Sequence, residues 1–337
     1  MLVAGEDATE DFMAIHSSDA RKQLADFHIG TLLLGDIQTK TIEEDDEQSG
    51  LPFLHPKKWK KVVLVNIKDV SANTKIFRFS LPEEQELGLP FGQHVYARLR
   101  RKFSHRDDAG NVKGQLVQRA YTPLLKRGAK GFVDLLIKYV FLNFFFFKKK
   151  KTNRDLKIGT RIYYPNAEFP EGGNMTLGFS KLVLGDVIEL KGPVGHFIWR
   201  GKGMVTLHNE EKHVTEVGLV CGGSGITPIL QILQAIVTDS SDRHTKVWVL
   251  DVNRSIEDIL CREELDQLVL KHRSRIRLHY SLTGKPVPSD WSYSTGRITN
   301  EVLKEHLPTP GQDKLVCICG PSPMEQSVKS KFSHLNS

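Results

Sequence analysis

The chain has 337 residues, room for two or three domains, and its 39% hydrophobic and 26% charged residues suit a globular protein with a sizeable core. The net charge of +7 invites a nucleic-acid reading, but Lys148, Lys149, Lys150, Lys151, Arg154, Lys157 and Arg161 stand against Asp155 alone in one short stretch; the rest is almost neutral, and no nucleic-acid partner is expected. Cys221, Cys261, Cys317 and Cys319 show no paired C-x-x-C spacing, the acidic N-terminus lacks an apolar signal core, and no run of about 18 apolar residues occurs, so the expectation is a cytoplasmic protein without zinc site, disulfide framework or membrane span.

Residues 1–35 read as short helical pieces ending at Gly30 or Gly35, and residues 36–56 as a linker, because Glu43, Glu44, Asp45, Asp46 and Glu47 repel one another. Residues 57–205 are rich in strands: Val62–Lys68, Thr74–Leu81, Gln93–Arg100, Gln115–Tyr121, Phe132–Lys138 and Asp186–Lys191, separated by Gly, Pro and Asp, suggest a β-barrel or sandwich. Residues 206–337 alternate instead. Strand Val214–Cys221, helix Pro228–Val237, strand Lys246–Asp251, a helix around Ile256–Leu270, and strands Arg275–Ser281 and Leu315–Cys319 predict a parallel α/β sheet. Residues 139–161 break this order, since Phe144–Phe147 followed by Lys148–Lys151 fits no strand or helix period; the stretch reads either as a surface insertion or as translated intron.

Four short patterns carry chemistry. Arg119-Ala120-Tyr121-Thr122-Pro123 ends a strand; an Arg fork can neutralise a phosphate, Tyr can lie on a ring, and Thr can hydrogen-bond one, although a plain strand end fits too. Gly172-Gly173-Asn174-Met175-Thr176 enters a helix, where glycines admit a phosphate to backbone N–H groups or simply form a turn. Cys221-Gly222-Gly223-Ser224-Gly225-Ile226-Thr227-Pro228 lies between strand and helix, where small residues and the helix dipole suit a pyrophosphate. It is neither the G-x-G-x-x-G fingerprint nor a P-loop. Cys319-Gly320-Pro321-Ser322-Pro323-Met324 follows a strand at the edge where open α/β sheets bind ligands; there a thiol can border a reacting ring or sit in the core.

In this order the four patterns resemble the cytochrome b5 reductase and nitrate reductase branch of the ferredoxin–NADP reductase superfamily, over residues 57 to about 332. The resemblance implies a β-barrel FAD domain followed by an α/β nicotinamide-nucleotide domain. It implies that Arg119, Tyr121 and Thr122 hold the flavin, that Gly172, Gly173, Met175 and Thr176 hold the FAD pyrophosphate, and that Lys138 stands at the flavin–nicotinamide junction. Gly222, Gly223, Gly225, Thr227, Pro228, Gly320, Pro321 and Met324 then line the nucleotide pocket, with Cys319 beside the nicotinamide; Cys319, Lys138 and Thr122 are the catalytic candidates. Residues Asp11–Ala20 and Leu24–Gly30 resemble the second half of a cytochrome b5 heme domain, with His16 at an axial-ligand position that serves only in a complete heme domain. The implied whole is a fungal-type nitrate reductase with b-type heme and molybdenum cofactor, NADPH or NADH as donor, the heme domain as electron acceptor, and a homodimeric assembly. Thr283 stands where NADH-using relatives carry an acid and Arg297 follows Gly296, a neutral-plus-cationic pair that favours NADPH. The alternatives are a stand-alone cytochrome b5 reductase and a non-functional truncated or mis-spliced product.

Overall fold

The computed structural model describes residues 51–106, 112–125, 128–139 and 174–335. The readings of 1–35, of 36–50 within the expected linker, of Gly172 and Gly173, and of nearly all of 139–161 lie outside these residues; the linker's last residues, 51–56, are described, and Phe53 and Leu54 among them are buried in the core of the first unit.

The first unit is antiparallel. β1 (Lys60–Ser71), β2 (Thr74–Ser80), β3 (His94–Arg106), β4 (Val112–Tyr121), β5 (Phe132–Lys138) and β6 (Val187–Val194) form one sheet in the order β4-β3-β6-β1-β2-β5. The two edge strands meet where the Leu124 N–H, just past β4, donates to the Asp134 carbonyl of β5 at 2.9 Å, which closes the expected barrel. Period-two alternation drives it: Val62 and Leu64 of β1 point inward while Val63 and Val65 face solvent, and Phe77 and Phe79 of β2 are fully buried. Helix α1 (Asn174–Ser180) plugs the core with Phe179, whose ring meets those of Phe77, Phe79 and Tyr121 edge-on at 5.2, 6.5 and 5.6 Å.

Next comes a three-stranded antiparallel sheet that the sequence reading lacks: β7 (Phe197–Gly201), β8 (Met204–Leu207) and β9 (Glu210–His213). The expected boundary after residue 205 falls inside β8, and Trp199 and Val205 pack into the core of the unit that follows.

That unit is parallel. β10 (Glu216–Cys221), α2 (Ile226–Thr238), β11 (Lys246–Asn253), α3 (Arg262–Lys271), β12 (Ile276–Leu282), β13 (Ser294–Thr295), α4 (Asn300–His306), β14 (Lys314–Cys319) and α5 (Ser322–Leu335) build a sheet in the order β13-β12-β11-β10-β14. Its central strands are apolar on both faces: Val217 and Leu219 pack with α2 and α3, whereas Val220 and Leu250 pack with Leu303 of α4 and Val328 of α5. The helix expected around Ile256–Leu270 is two pieces. A 3-10 turn at Ile256–Asp258 is separated from α3 by Cys261 at φ 55, a left-handed conformation that an α-helix cannot continue.

At the C-terminal edge of this sheet, Cys319, Cys221, Asp251 and Tyr280 lie side by side in register on the α2–α3 face. Asp251 is 1% exposed, and its Oδ2 has no hydrogen-bond partner. Burial pushes its carboxyl up to about 6, against the opposing pull of the Cys221 and Asn253 hydrogen bonds and the Lys138 charge.

The two large units are joined by an apolar seam and by polar clasps. Leu136 of β5 is buried in the α/β core, with Ile76, Phe91 and Leu124 packed against it. Gln231 of α2, 1% exposed, accepts the Gly92 N–H at 2.6 Å and donates to the Gln93 carbonyl at 3.5 Å. Truncation to Gln231→Leu strands the Gly92 N–H, so urea denaturation should show a loss of about 1–3 kcal/mol. The Asp251 carboxyl supplies a second expectation. Because its folded-state pKa is raised, the folded protein retains a proton that the unfolded chain has released, and stability falls as pH rises from about 4 to about 6, by on the order of 2–3 kcal/mol. Asp251→Asn removes this titration, so its stability relative to the parent should improve between pH of about 4.5 and about 7.5; a gap that stays constant contradicts the assignment.

Candidate functional site

The glycine-rich turn is positioned by the end of β10. Its Gly222 N–H donates to the Cys319 carbonyl at 3.2 Å, and the chain winds through a 3-10 turn at Gly223–Gly225 into α2. Contact requires glycine at Gly222 and Gly225, and conformation at Gly223. A Cβ on Gly225 would lie 2.1 Å from the Cys319 carbonyl oxygen, and one on Gly222 2.8 Å from the Met324 sulfur. Gly223 differs: at φ +57 its conformation favours glycine, and a Cβ there would make only ordinary contact with Lys138 Cδ and Nζ, at 3.8 and 3.7 Å, so a cation borders the turn. A cation beside a helix N-terminus suits an anionic group such as a phosphate.

The Cys-Gly-Pro pattern interlocks with this turn. Met324 Cε stands 2.6 Å from where a Gly320 Cβ would be, the Gly320 N–H donates to Glu325 Oε1 at 3.0 Å, and Pro321 is exposed beside Gly222. Cys319 is partly exposed; burial, then the Glu325 charge, push its thiol up to about 11, so it is a neutral thiol at physiological pH. Thr227 is buried, with its hydroxyl on the Ser224 carbonyl at 3.2 Å, and Pro228 continues α2.

The barrel presents its own pattern at the same junction. Lys138, at the end of β5, reaches across to Asp258 of the 3-10 turn at 2.9 Å, with side-chain exposures of 14% and 23%. Asn73 and Ser255 add bonds to the same carboxylate at 3.5 and 3.3 Å. Burial opposes the charge on Asp258, but the Lys138 ammonium and these bonds outweigh it and hold the carboxyl below its usual range. A groove of about 390 Å³ separates Leu124 and Leu125, directly after the Arg-x-Tyr-Thr-Pro pattern, from Thr227 and Gln231 of α2. Tyr121 and Thr122 are half-buried at the end of β4, while Arg119 is exposed with its guanidinium on the Gln118 carbonyl at 2.8 Å. Burial raises the Tyr121 phenol, partly offset by Arg119.

Two expected FAD contacts are separated by the core. Met175 is 3% exposed within the barrel, so its backbone rather than its side chain is available to a ligand, whereas Thr176 is half-exposed. At the far edge, Thr283 is exposed, with its N–H and hydroxyl on the Asn253 carbonyl at 2.8 and 3.2 Å. The Gly296 N–H donates to the Leu282 carbonyl at 2.8 Å, which brings the segment carrying exposed Arg297 alongside Thr283.

Sequence reasoning missed Asp258, Asn73, Gln231, Asp251 and Asn253, which act through contacts between distant segments. A signal existed for Asp258 alone, in the Ser255-Ile256-Glu257-Asp258 turn signature that was read as helix.

Comparisons with known proteins fit this geometry. Residues 61–199 match the family model of an oxidoreductase FAD-binding domain and residues 219–330 that of an oxidoreductase NAD-binding domain. The chain is 37% identical over 370 residues to a nitrate reductase [NADPH] of Mycosarcoma maydis, covering 99% of this chain and 35% of the relative. It is 33% identical over 360 residues to nitrate reductase [NADH] 1 of Zea mays, covering 100% and 52%. It therefore spans a third to a half of the length of these relatives. Among solved structures, the cytochrome b5 reductase domain of Ulva prolifera nitrate reductase superposes with a TM-score of 0.70 at 30% identity, covering 85% of this chain and 96% of that one. A ferredoxin NADP+ reductase of Neisseria gonorrhoeae shares the fold, with a TM-score of 0.52 at 17% identity over 82% of this chain and 92% of that one. Among the described residues no helix is long and apolar enough to cross a membrane. With a closed antiparallel FAD domain joined to a parallel NAD-binding domain along its whole matched length, the chain is an NAD(P)H-dependent flavoprotein reductase module and belongs to the family of the cytochrome b5 reductase domain of nitrate reductase.

Proposed function

We propose that this module takes hydride from NADPH onto FAD and passes single electrons to a b-type heme domain, within a cytoplasmic, dimeric nitrate reductase whose molybdenum cofactor reduces nitrate. The observation that carries the reading is the meeting of Lys138, from the barrel, with the Gly223 turn and the Cys319 strand end of the α/β unit. The division into 57–205 and 206–337, with β7–β9 as the join, belongs to the same proposal, as do the heme-domain remnant at 1–35 and the linker at 36–56.

Bound FAD supplies the ability to accept two electrons together and release them singly. The residues of the chain supply alignment. Arg119 offers its exposed guanidinium to the flavin phosphate, Tyr121 and Thr122 border the ring, and Thr176 with the backbone of Gly172, Gly173 and Met175 receives the pyrophosphate. Gly222, Gly223 and Gly225 let the nucleotide approach the backbone closely before the N-terminus of α2, flanked by Thr227, Pro228, Gly320, Pro321 and Met324. Lys138 sets a positive charge beside that turn, and Cys319 presents a neutral thiol to the nicotinamide face. Proximity and orientation, rather than proton transfer from a side chain, account for the rate.

The preference for NADPH follows from Thr283 and Arg297, which place no acid and one exposed cation on adjoining segments at the ribose end. Fungal relatives from Mycosarcoma maydis and Beauveria bassiana carry the NADPH name, and the Zea mays relative the NADH name.

Purified protein should be yellow and reduce ferricyanide with NADPH at a higher kcat/KM than with NADH; colourless protein, or a clear NADH preference, defeats the respective part of the reading. Thr283→Asp should cut kcat/KM for NADPH about tenfold or more while sparing NADH, since a carboxylate repels a 2′-phosphate.

A further inference from the structure

We propose that Asp251 is a positioning residue for the nicotinamide site, fixing the glycine turn through Asn253. The inference rests on the reading that this turn receives the nucleotide, and it names residues that lie beneath the turn rather than in it.

The connection is a chain of hydrogen bonds in the buried row under the turn. Asp251 Oδ1 accepts both the Cys221 thiol at 3.3 Å and the Asn253 amide Nδ2 at 2.8 Å. The other end of the same amide, Asn253 Oδ1, accepts the Gly223 N–H at 3.1 Å. All three side chains are buried: Cys221 is 0%, Asp251 1% and Asn253 5% exposed.

An asparagine amide can face either way, because its oxygen and nitrogen ends are nearly the same shape. Next to Asp251 the ambiguity disappears. An ionised carboxylate only accepts, so Asn253 must turn its NH₂ toward Asp251 and its oxygen toward Gly223. The carboxylate thereby dictates, from one residue away, which group meets the Gly223 N–H. That N–H opens the 3-10 turn, at a φ of +57. Without its acceptor, a flexible glycine at this point has many other conformations available, and the turn must be ordered anew each time a nucleotide binds.

Stability argues that the carboxylate is present for these bonds and not for packing. Its second oxygen is buried with no partner, a costly placement that an apolar side chain of similar volume would avoid. The residue beside it in the sheet, Tyr280, gives its hydroxyl to Asp266 of α3 at 2.8 Å and offers no donor to that oxygen.

The test uses the full chain purified with FAD, with KM for NADPH and kcat measured by ferricyanide reduction and Kd for NADP+ by the flavin difference spectrum. Asp251→Leu should raise KM and Kd about tenfold, the worth of one buried N–H left without its acceptor, with kcat at saturation within about twofold and flavin content unchanged. Asp251→Asn keeps an acceptor oxygen for the same donors and should restore both constants to within about threefold of the parent. Asn253→Ala removes the Gly223 acceptor directly and should reproduce the leucine phenotype, which keeps the test decisive if Asp251→Leu folds poorly. Unchanged KM and Kd in Asn253→Ala overturn the inference, and so does an equal rise in Asp251→Leu and Asp251→Asn. Parent protein that holds FAD but binds neither NADP+ nor NAD+ removes the nucleotide reading itself, and this inference with it.

Discussion

The ion pair between Lys138 and Asp258 joins the last residue of a barrel strand to the turn between a parallel strand and its helix. Hydride passage demands that two ligands on two separately cored units meet within van der Waals distance, and an error of one ångström is expensive. The apolar seam around Leu136 supplies cohesion between the units but little angular precision. Directional bonds supply that precision. Lys138–Asp258 fixes one end of the junction, and Gln231 against the Gly92–Gln93 backbone fixes the other. Both side chains of the ion pair are more than three-quarters buried, so the pair is less screened than a surface salt bridge.

The fold was legible wherever hydrophobic period carried it. Phe132–Lys138 came out with its bounds intact, because apolar positions at Val133, Leu135 and Ile137 sit between turn residues. The parallel strands followed from their unbroken apolar runs. The small sheet β7–β9 was not legible: Glu210–His213 is polar and exposed throughout, and its pairing with β8 is a property of the hairpin rather than of either strand. The break at Cys261 was hidden too. Nothing in a cysteine announces φ 55, which is imposed by burial of Ile259 and Leu260 on one side and the start of α3 on the other.

The candidate site divides along the same line. Glycines that must yield space to a neighbour declare themselves in sequence, as at Gly222 and Gly225, where the contacts that exclude a side chain come from the Cys319–Met324 segment nearly a hundred residues on. Polar groups that act through partners do not. Asp251 follows the apolar run Val247–Leu250 of β11, and its meaning appears only when parallel register sets it between Cys221 and Tyr280 and leaves Asn253 within reach of both Asp251 and Gly223.

The row Cys319, Cys221, Asp251 and Tyr280 also bears on why the edge of this sheet tolerates so much polarity. Each member is shielded differently: Cys319 by partial exposure, Cys221 by its bond to Asp251, Tyr280 by Asp266, and Asp251 by two donors on a single oxygen. Asp251 retains a buried oxygen without a partner, and it is the member from which a hydrogen-bonded path leads to the glycine turn. Lys138 lies close enough to lower the Asp251 carboxyl while pairing with Asp258, so one cation serves the domain junction and eases the burial of the carboxylate beneath the turn. Loss of that cation therefore acts twice, loosening the junction and raising the cost of the charge below, and the two effects reinforce each other because both units converge on Gly223.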